Sequence, residues 1–302
     1  MTASTRIEPA DRELPARRPF TSQSRMWDEV GLVTFPFTSG SAFLLQTMEP
    51  TIAAVVDEHS TFRTDPMGRA FRSIASVMMW IYAGDEALAE ADRLRKMHTT
   101  LNTVDAQGVR HTALSSGPWA WVLHTAVYAY TEGAKPFTRT PLSEADKEEY
   151  YQEVVQLMRN FSVAPKEIPP TYSEWLDYFH DKLENHLAAT PVAYDFLKVS
   201  RRIAPPSFLP RPLAPVWRAA TTPVSRLQYF FTVGTTPEVA REKLGLSWSS
   251  TDEATLRALG WLVGRTVPLL PERLRYFPIA YEARRLERDR ARLRKKIDLR
   301  PI

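Results

Sequence analysis

One histidine stands in the middle of the longest uncharged stretch of the chain. No formal charge occurs between Arg110 and Glu132, and from Gly117 to Gly133 nearly every residue is aromatic or aliphatic apart from His124. The stretch predicts a helix that is packed on all sides. A buried imidazole needs a partner, because an unpaired polar group in a protein core is costly. That partner is either a neighbouring protein group, as for most core histidines, or a metal ion.

Two aromatic residues share the helix face of this histidine. Trp121 lies three residues before His124 and Tyr128 lies four residues after it. These spacings place the three side chains on one side of an α-helix. The two aromatic residues are therefore candidates to line any site that His124 serves.

A second histidine lies on an apolar helical stripe nearer the N-terminus. Spacings of four, three, four and three residues place the stripe on one face of a helix predicted over 86–103, with members Ala87, Ala91, Leu94, His98 and Leu101. Arg95 comes one turn before His98, and Thr99 follows it. Either this is a half-buried histidine at the edge of a stripe, or it is a polar cluster. In a cluster, Arg95 would supply a fixed positive charge and His98 would move protons near neutral pH.

Two arginines precede that helix on another one, predicted over 67–83. The apolar residues expected to point inward from it are Phe71, Ile74, Val77, Met78 and Ile81. Arg69 and Arg72 are three residues apart, so they could face the same way. They are candidates for binding carboxylate groups, because a guanidinium group pairs with a carboxylate through two hydrogen bonds. Surface ion pairs are an equally good interpretation.

The elements around these residues are predicted to be helices punctuated by proline. The chain of 302 residues has 24 prolines and no long strand-like alternation, which predicts an all-α protein. Capping boxes are predicted at Ser143–Asp146 and Ser250–Glu253. We expect a flexible N-terminal arm over 1–24 and a single helical domain over 25–302, with a proline-rich crossover at 201–215.

Composition and missing motifs exclude several classes of protein. There is no cysteine, which excludes disulfides, iron–sulfur clusters and thiolate ligation of haem. Walker, GxGxxG, HExxH and GxSxG motifs are absent, so nucleotide, zinc-protease and α/β-hydrolase sites have no support. The arginine-bearing N-terminus has no apolar stretch typical of a secretory signal, and we expect a cytoplasmic protein.

The C-terminus carries most of the positive charge. The last 22 residues hold nine Arg or Lys and four Asp or Glu, against a net charge of +4 for the whole chain. A helix is predicted over 271–298, with a narrow apolar seam. It is either a solvated helix with internal ion pairs or a helix that contacts a membrane surface or a partner. Nucleic-acid binding is not expected, because a basic tail without a binding fold is weak support for it.

An ordered set of short motifs resembles the rubber-oxygenase catalytic domain family, which includes the latex-clearing proteins and the MpaB-type oxygenases. The motifs cover about residues 40–190, and they are His59-Ser60, Asp65-Pro66 with Arg69, Gly84, Arg95-x-x-His98, Trp-Val-Leu-His124, Pro141-Leu-Ser-x-x-Asp146 and Tyr150-Tyr151.

The resemblance implies an all-α fold with a globin-like core and extra flanking helices, binding haem b. It implies a haem-dependent oxygenase that uses dioxygen on an apolar, isoprenoid- or lipid-like substrate. His124 would be the iron ligand, with Trp121 and Tyr128 beside the haem. The distal catalytic residues would be Arg95, His98 and Thr99. A haem-free helical protein that binds a lipid or small metabolite is the alternative.

Two positions depart from the family pattern. His98 stands where the latex-clearing proteins have lysine. Leu123 separates Trp-Val from His124, whereas the usual pattern is Trp-Val-His. One extra residue turns a side chain by about 100° around an α-helix. Either the helix absorbs this turn, or haem is not bound in the family manner.

Overall fold

The computed structural model describes residues 14–206 and 209–298. Within these residues the chain folds into α-helices with one small β-hairpin, so the all-α prediction is confirmed. The helices are α1 (Arg25–Glu29), α2 (Phe35–Thr47), α3 (Pro50–His59), α4 (Pro66–Tyr82), α5 (Glu86–His98), α6 (Ser116–Thr131), α7 (Glu144–Asn160), α8 (Tyr172–Asp181), α9 (Pro191–Ser200), α10 (Ala214–Gly234), α11 (Glu238–Lys243), α12 (Ser250–Thr266), α13 (Glu272–Arg275) and α14 (Pro278–Asp298). None of these helices is long and apolar enough to span a bilayer.

Helix α2 lies between α6 and α10 and also packs against α3 and α9. Gly40 allows α10 to approach closely, since a Cβ there would lie 2.1 Å from Oγ1 of Thr232. On the side of α6, Leu44 and Leu45 of α2 join Trp121 in the buried core. The helix that carries His124 is thus held between α2 and α7.

Helices α4 and α5 form a hairpin that packs on α14 and α1. Gly84, with φ of +60°, makes the turn between them. Met78 and Ile81 of α4 are fully buried, but Phe71, on the same helix face, is 64% exposed. We expected Phe71 to point inward, and that prediction is wrong. The core-facing side of α4 is therefore uncovered in its first two turns.

Several predicted boundaries also change. Helix α5 ends at His98 rather than at 103, because the chain then enters a hairpin of β1 (Asn102–Val104) and β2 (Arg110–Thr112). The helix predicted over 271–298 is divided into α13 and α14, because Tyr276 is extended and pairs with Leu32.

The capping boxes and the N-terminal segment agree only in part with the sequence prediction. The box at Ser143 and Asp146 is confirmed, whereas the second one is formed by Ser249 and Asp252, one residue earlier than predicted. Residues 1–13 of the predicted flexible arm lie outside the described residues. Residues 14–24 lie against the core, where Phe20 is buried and the backbone N–H of Arg18 donates to Asn160.

Replacing one buried carboxylic acid is expected to change how stability depends on pH. Burial raises the pKa of Glu29, in α1, to about 7, although the nearby Arg25 acts in the opposite sense. The folded state therefore binds more protons than the unfolded chain between pH 4.5 and 7, and the free energy of unfolding falls as the pH rises through this window. We expect Glu29→Gln to raise the free energy of unfolding by roughly 2 kcal/mol at pH 8 and to leave it unchanged at pH 4.5.

Urea denaturation of the wild type and the variant at several pH values measures this difference. Glu58→Gln is the control, because Glu58 is exposed on α3. A Glu29→Gln variant whose stability follows the wild type in parallel across the pH range would contradict the prediction.

Candidate active site

The His124 side chain is completely enclosed by protein. Its ring is 0% exposed, and its Nε2–H donates to the backbone carbonyl of Glu167 at 2.9 Å. Nδ1 has no hydrogen-bond partner among the described residues. The ring of Tyr178 lies with its centre 4.6 Å away. Burial lowers the pKa of His124 to about 3, so the ring is neutral.

This environment does not fit an axial haem ligand. A free ring nitrogen opposite a carbonyl-bonded N–H is the hydrogen-bonding pattern of a metal-bound histidine. However, a ring with no accessible surface has no room beside Nδ1 for a porphyrin. The role of His124 as the iron ligand stays a prediction, which its unpaired Nδ1 favours and its enclosure opposes.

Trp121 and Tyr128, the two aromatic residues predicted to line the same site, pack in the protein core. Trp121 donates its indole N–H to the carbonyl of Leu45 at 3.1 Å and stacks on Phe179. Tyr128 also stacks on Phe179, and its hydroxyl donates to the carbonyl of Thr235 at 2.8 Å. Both side chains are bound to protein groups that hold α6 in place.

His98 has a more open environment. It is the last residue of α5 and is half-buried, with its Nδ1–H donating to the carbonyl of Leu94 at 2.7 Å. Its Nε2 makes no hydrogen bond within the described part of the chain. Burial lowers the pKa of His98, and the charges of Arg69 and Arg93 lower it further, against the opposing effect of the Leu94 carbonyl. The ring is therefore a neutral imidazole with its Nε2 lone pair available.

Two further side chains lie near this imidazole, and a third lies one turn before it on the same helix. Trp119 of α6 lies edge-on to it, with ring centres 5.3 Å apart, and is fixed by donating to the carbonyl of Phe161. Arg69 is close enough for its charge to act on the pKa of His98, and Arg95 lies one turn before His98 on α5. We call the surface formed by Arg69, Arg95, His98 and Trp119 the histidine face.

The two arginines of the histidine face have no acidic partner. Arg69 bonds to the hydroxyl of Ser73, and neither Arg69 nor Arg95 forms an ion pair with any described residue. Arg69 is exposed, but the surrounding protein atoms still desolvate its guanidinium group in part, which lowers its pKa together with the charge of Arg72. Such guanidinium groups are able to bind an anion.

The remaining predicted residues lie outside this group. Arg72 bonds to Asp65 at 3.3 Å and to the hydroxyl of Thr61 at 3.0 Å, as in the surface ion-pair interpretation. Thr99 is exposed, and its hydroxyl donates to the carbonyl of Lys96 at the end of α5. Both side chains have local structural partners.

The sequence prediction missed the neighbours that define the two histidine environments. Trp119 lies in the apolar stretch around His124, but only its contact with His98 distinguishes it from the other aromatic residues. The partner of His124 is a backbone carbonyl 43 residues away, for which a sequence has no signal. No described group of three or more His, Asp or Glu side chains has the arrangement of a metal site.

Comparison with known proteins gives one clear result. The family model described as "ER-bound oxygenase mpaB/B'/Rubber oxygenase, catalytic domain" matches residues 27–265, well beyond the 40–190 covered by the short motifs. No curated protein and no solved structure matches the chain. Because the match covers most of its length, the chain belongs to the family of mpaB/B' and rubber oxygenase catalytic domains.

Proposed function

We propose that this protein is a haem-dependent oxygenase acting on an apolar, isoprenoid- or lipid-like substrate, and that the histidine face is its cofactor site. The family supports oxygenase activity in general. The observation that carries the finer proposal is the neutral imidazole of His98 with a free Nε2. It lies near the charge of Arg69 and one turn after Arg95, and neither arginine has an acidic partner among the described residues.

The donor groups of the histidine face fit haem b. Haem b has one iron that accepts an imidazole nitrogen and two propionate groups that need cationic partners. His98 would hold the iron, and Arg69 and Arg95 would bind the propionates. His124 does not fit the same role, because its ring is enclosed.

Haem b, when bound, supplies the activation of dioxygen. The residues of the chain would keep the imidazole of His98 in the neutral form that can bind iron and would fix its orientation. The carbonyl of Leu94 holds the proton on Nδ1 of His98, which keeps the Nε2 lone pair free. The lowered pKa of His98 keeps the ring neutral near pH 7. The edge of Trp119 fixes the orientation of the ring.

An apolar substrate is supported by the uncovered side of α4. Phe71 is 64% exposed although it shares a helix face with buried Met78 and Ile81, and Ile74 between them is half-buried. An aromatic side chain left exposed on the core-facing side of a helix offers a contact for an apolar molecule. The first turns of α4 are the proposed substrate surface.

Titration of the purified protein with haemin tests this proposal. We expect saturation at one haem per chain and a Soret band shifted from that of free haemin. Bovine serum albumin, which binds haemin without an oxygenase site, is the control for nonspecific uptake. Protein that takes up no more haemin than the buffer blank would contradict the proposal.

A haem-free binding protein is the second candidate, and the enclosed ring of His124 favours it. In that protein Arg69 and Arg95 would bind the acidic head of a lipid-like molecule directly, and the uncovered side of α4 would hold its apolar part. The same titration separates the two candidates. Failure to bind haemin, together with binding of a fluorescent fatty acid that Arg95→Gln weakens, would support the second one.

A further inference from the structure

Few of the described residues contact the second half of α14. Every residue from Arg288 to Ile297 is exposed. The first half of the helix is held to the body of the protein, because Ala280 is buried and Arg284 bonds to Glu272 and Asp28. At 1.5 Å per residue, this exposed part is about 15 Å long. Arg288 in it pairs with Glu272, and Arg290 and Arg294 face residues 19–23 across a shallow cleft.

Helix α14 carries an apolar seam. Ile279, Leu286 and Leu293 are seven residues apart and Ile297 follows four residues later, so all four lie on one helix face. Their exposed fractions are 47%, 51%, 59% and 66%. A helix face with this many exposed aliphatic side chains marks an interaction surface.

Exposed leucines also occur in the chain just before α14. Leu269, Leu270 and Leu274 are also exposed, by 79%, 39% and 61%. They lie between the end of α12 and the start of α14, and α13 packs on α14. We call these three residues and the seam of α14 the C-terminal apolar surface.

The charges around the seam are mainly positive. From Pro278 to Asp298 there are eight Arg or Lys and four Asp or Glu. Glu282, Glu287 and Asp289 are each paired with an arginine of the same helix. Arg290 lies within the seam, but a long arginine side chain can keep its charged end in water while its stem lies along an apolar layer.

We propose that the C-terminal apolar surface docks on an anionic lipid membrane, with α14 lying in the plane of the interface. An exposed aliphatic seam on a helix rich in arginine and lysine is the pattern of an interfacial helix. The excess positive charge complements anionic headgroups, and the aliphatic side chains enter the boundary of the acyl chains. A second copy of this chain is a poorer occupant, because two such helices would bring their arginines together. The inference does not depend on haem binding.

Co-sedimentation of the full chain with lipid vesicles tests the inference. We expect binding to phosphatidylcholine vesicles that contain phosphatidylserine and much weaker binding to phosphatidylcholine alone, with the difference reduced by salt. The double variant Leu293→Asn, Ile297→Asn should weaken binding to the anionic vesicles roughly tenfold or more. Arg292→Gln with Arg294→Gln should weaken it by a similar factor and reduce the salt dependence.

The matched control is Val216→Asn with Val224→Asn, since these residues are 64% and 60% exposed on α10. It should bind vesicles as the wild type does. Circular dichroism checks that all variants keep their helical content. Equal binding to both lipid compositions, or unchanged binding by the Leu293/Ile297 variant, overturns the inference. The inference is also overturned if sedimentation velocity shows a wild-type dimer that the Leu293/Ile297 variant converts to a monomer. The C-terminal apolar surface would then bind a second copy of the chain.

Discussion

Haem-loaded protein should lose its Soret signature when His98 is replaced by asparagine and should keep it when His124 receives the same replacement. Nε2 of His98 is unpaired and its ring is half-exposed, whereas the His124 ring is enclosed and bonded to the Glu167 carbonyl. Loss of the direct iron ligand should weaken haem binding by more than about 100-fold, beyond the effect usual for residues that only support a ligand.

Asparagine suits this comparison at position 98, where its amide matches Nδ1 of the ring. At position 124 asparagine is too short to reach the carbonyl of Glu167, so His124→Gln is made beside it, because the longer amide can donate to that carbonyl and protects the fold from an unpaired buried acceptor. His98→Gly adds a second measurement, since added imidazole should restore the Soret band by taking the place of the lost ring. Restoration by imidazole would not occur if His98 served only the fold.

The outcomes separate the ligand assignment from the function. If only His124→Asn loses the band, the assignment to His98 is wrong while a haem protein remains. If the wild type itself never shows the band, the oxygenase proposal fails, and the haem-free binding protein takes its place.

The sequence predicted well those features that depend on neighbouring residues. The capping box at Ser143 and Asp146 needs only two side chains three positions apart, and it was found where expected. The buried state of the His124 helix followed from its composition in the same way. Both rest on interactions within one or two helical turns.

Features that depend on distant partners were predicted poorly. Helical periodicity identified the apolar face of α4, but it carried no information on whether another element covers Phe71. The pattern around His124 showed that its ring needs a partner, and only the fold shows that the partner is the carbonyl of Glu167. The family resemblance transferred a role to His124, but not the surroundings that the role requires.

Trp121→Ala should be among the most destabilising single changes in this chain. The indole is 0% exposed, stacks on Phe179 at 5.4 Å and donates to the carbonyl of Leu45. Its removal leaves a large cavity between α2 and α6 and an unpaired carbonyl, for which we expect a loss of about 3–5 kcal/mol in the free energy of unfolding. Urea denaturation followed by circular dichroism measures this loss.

Trp261→Ala is the matched control, because Trp261 is also helical but 58% exposed. Its replacement should change the free energy of unfolding by no more than about 0.5 kcal/mol. Trp121→Phe separates the two possible roles of Trp121, since phenylalanine keeps an aromatic ring against Phe179 and removes only the indole N–H. If Trp121 only stabilises the fold, Trp121→Phe should show a moderate loss of stability and, when loaded with haem, an unchanged Soret band. A shifted Soret band with unchanged stability would instead indicate that Trp121, and the side of α6 that carries His124, contact the haem.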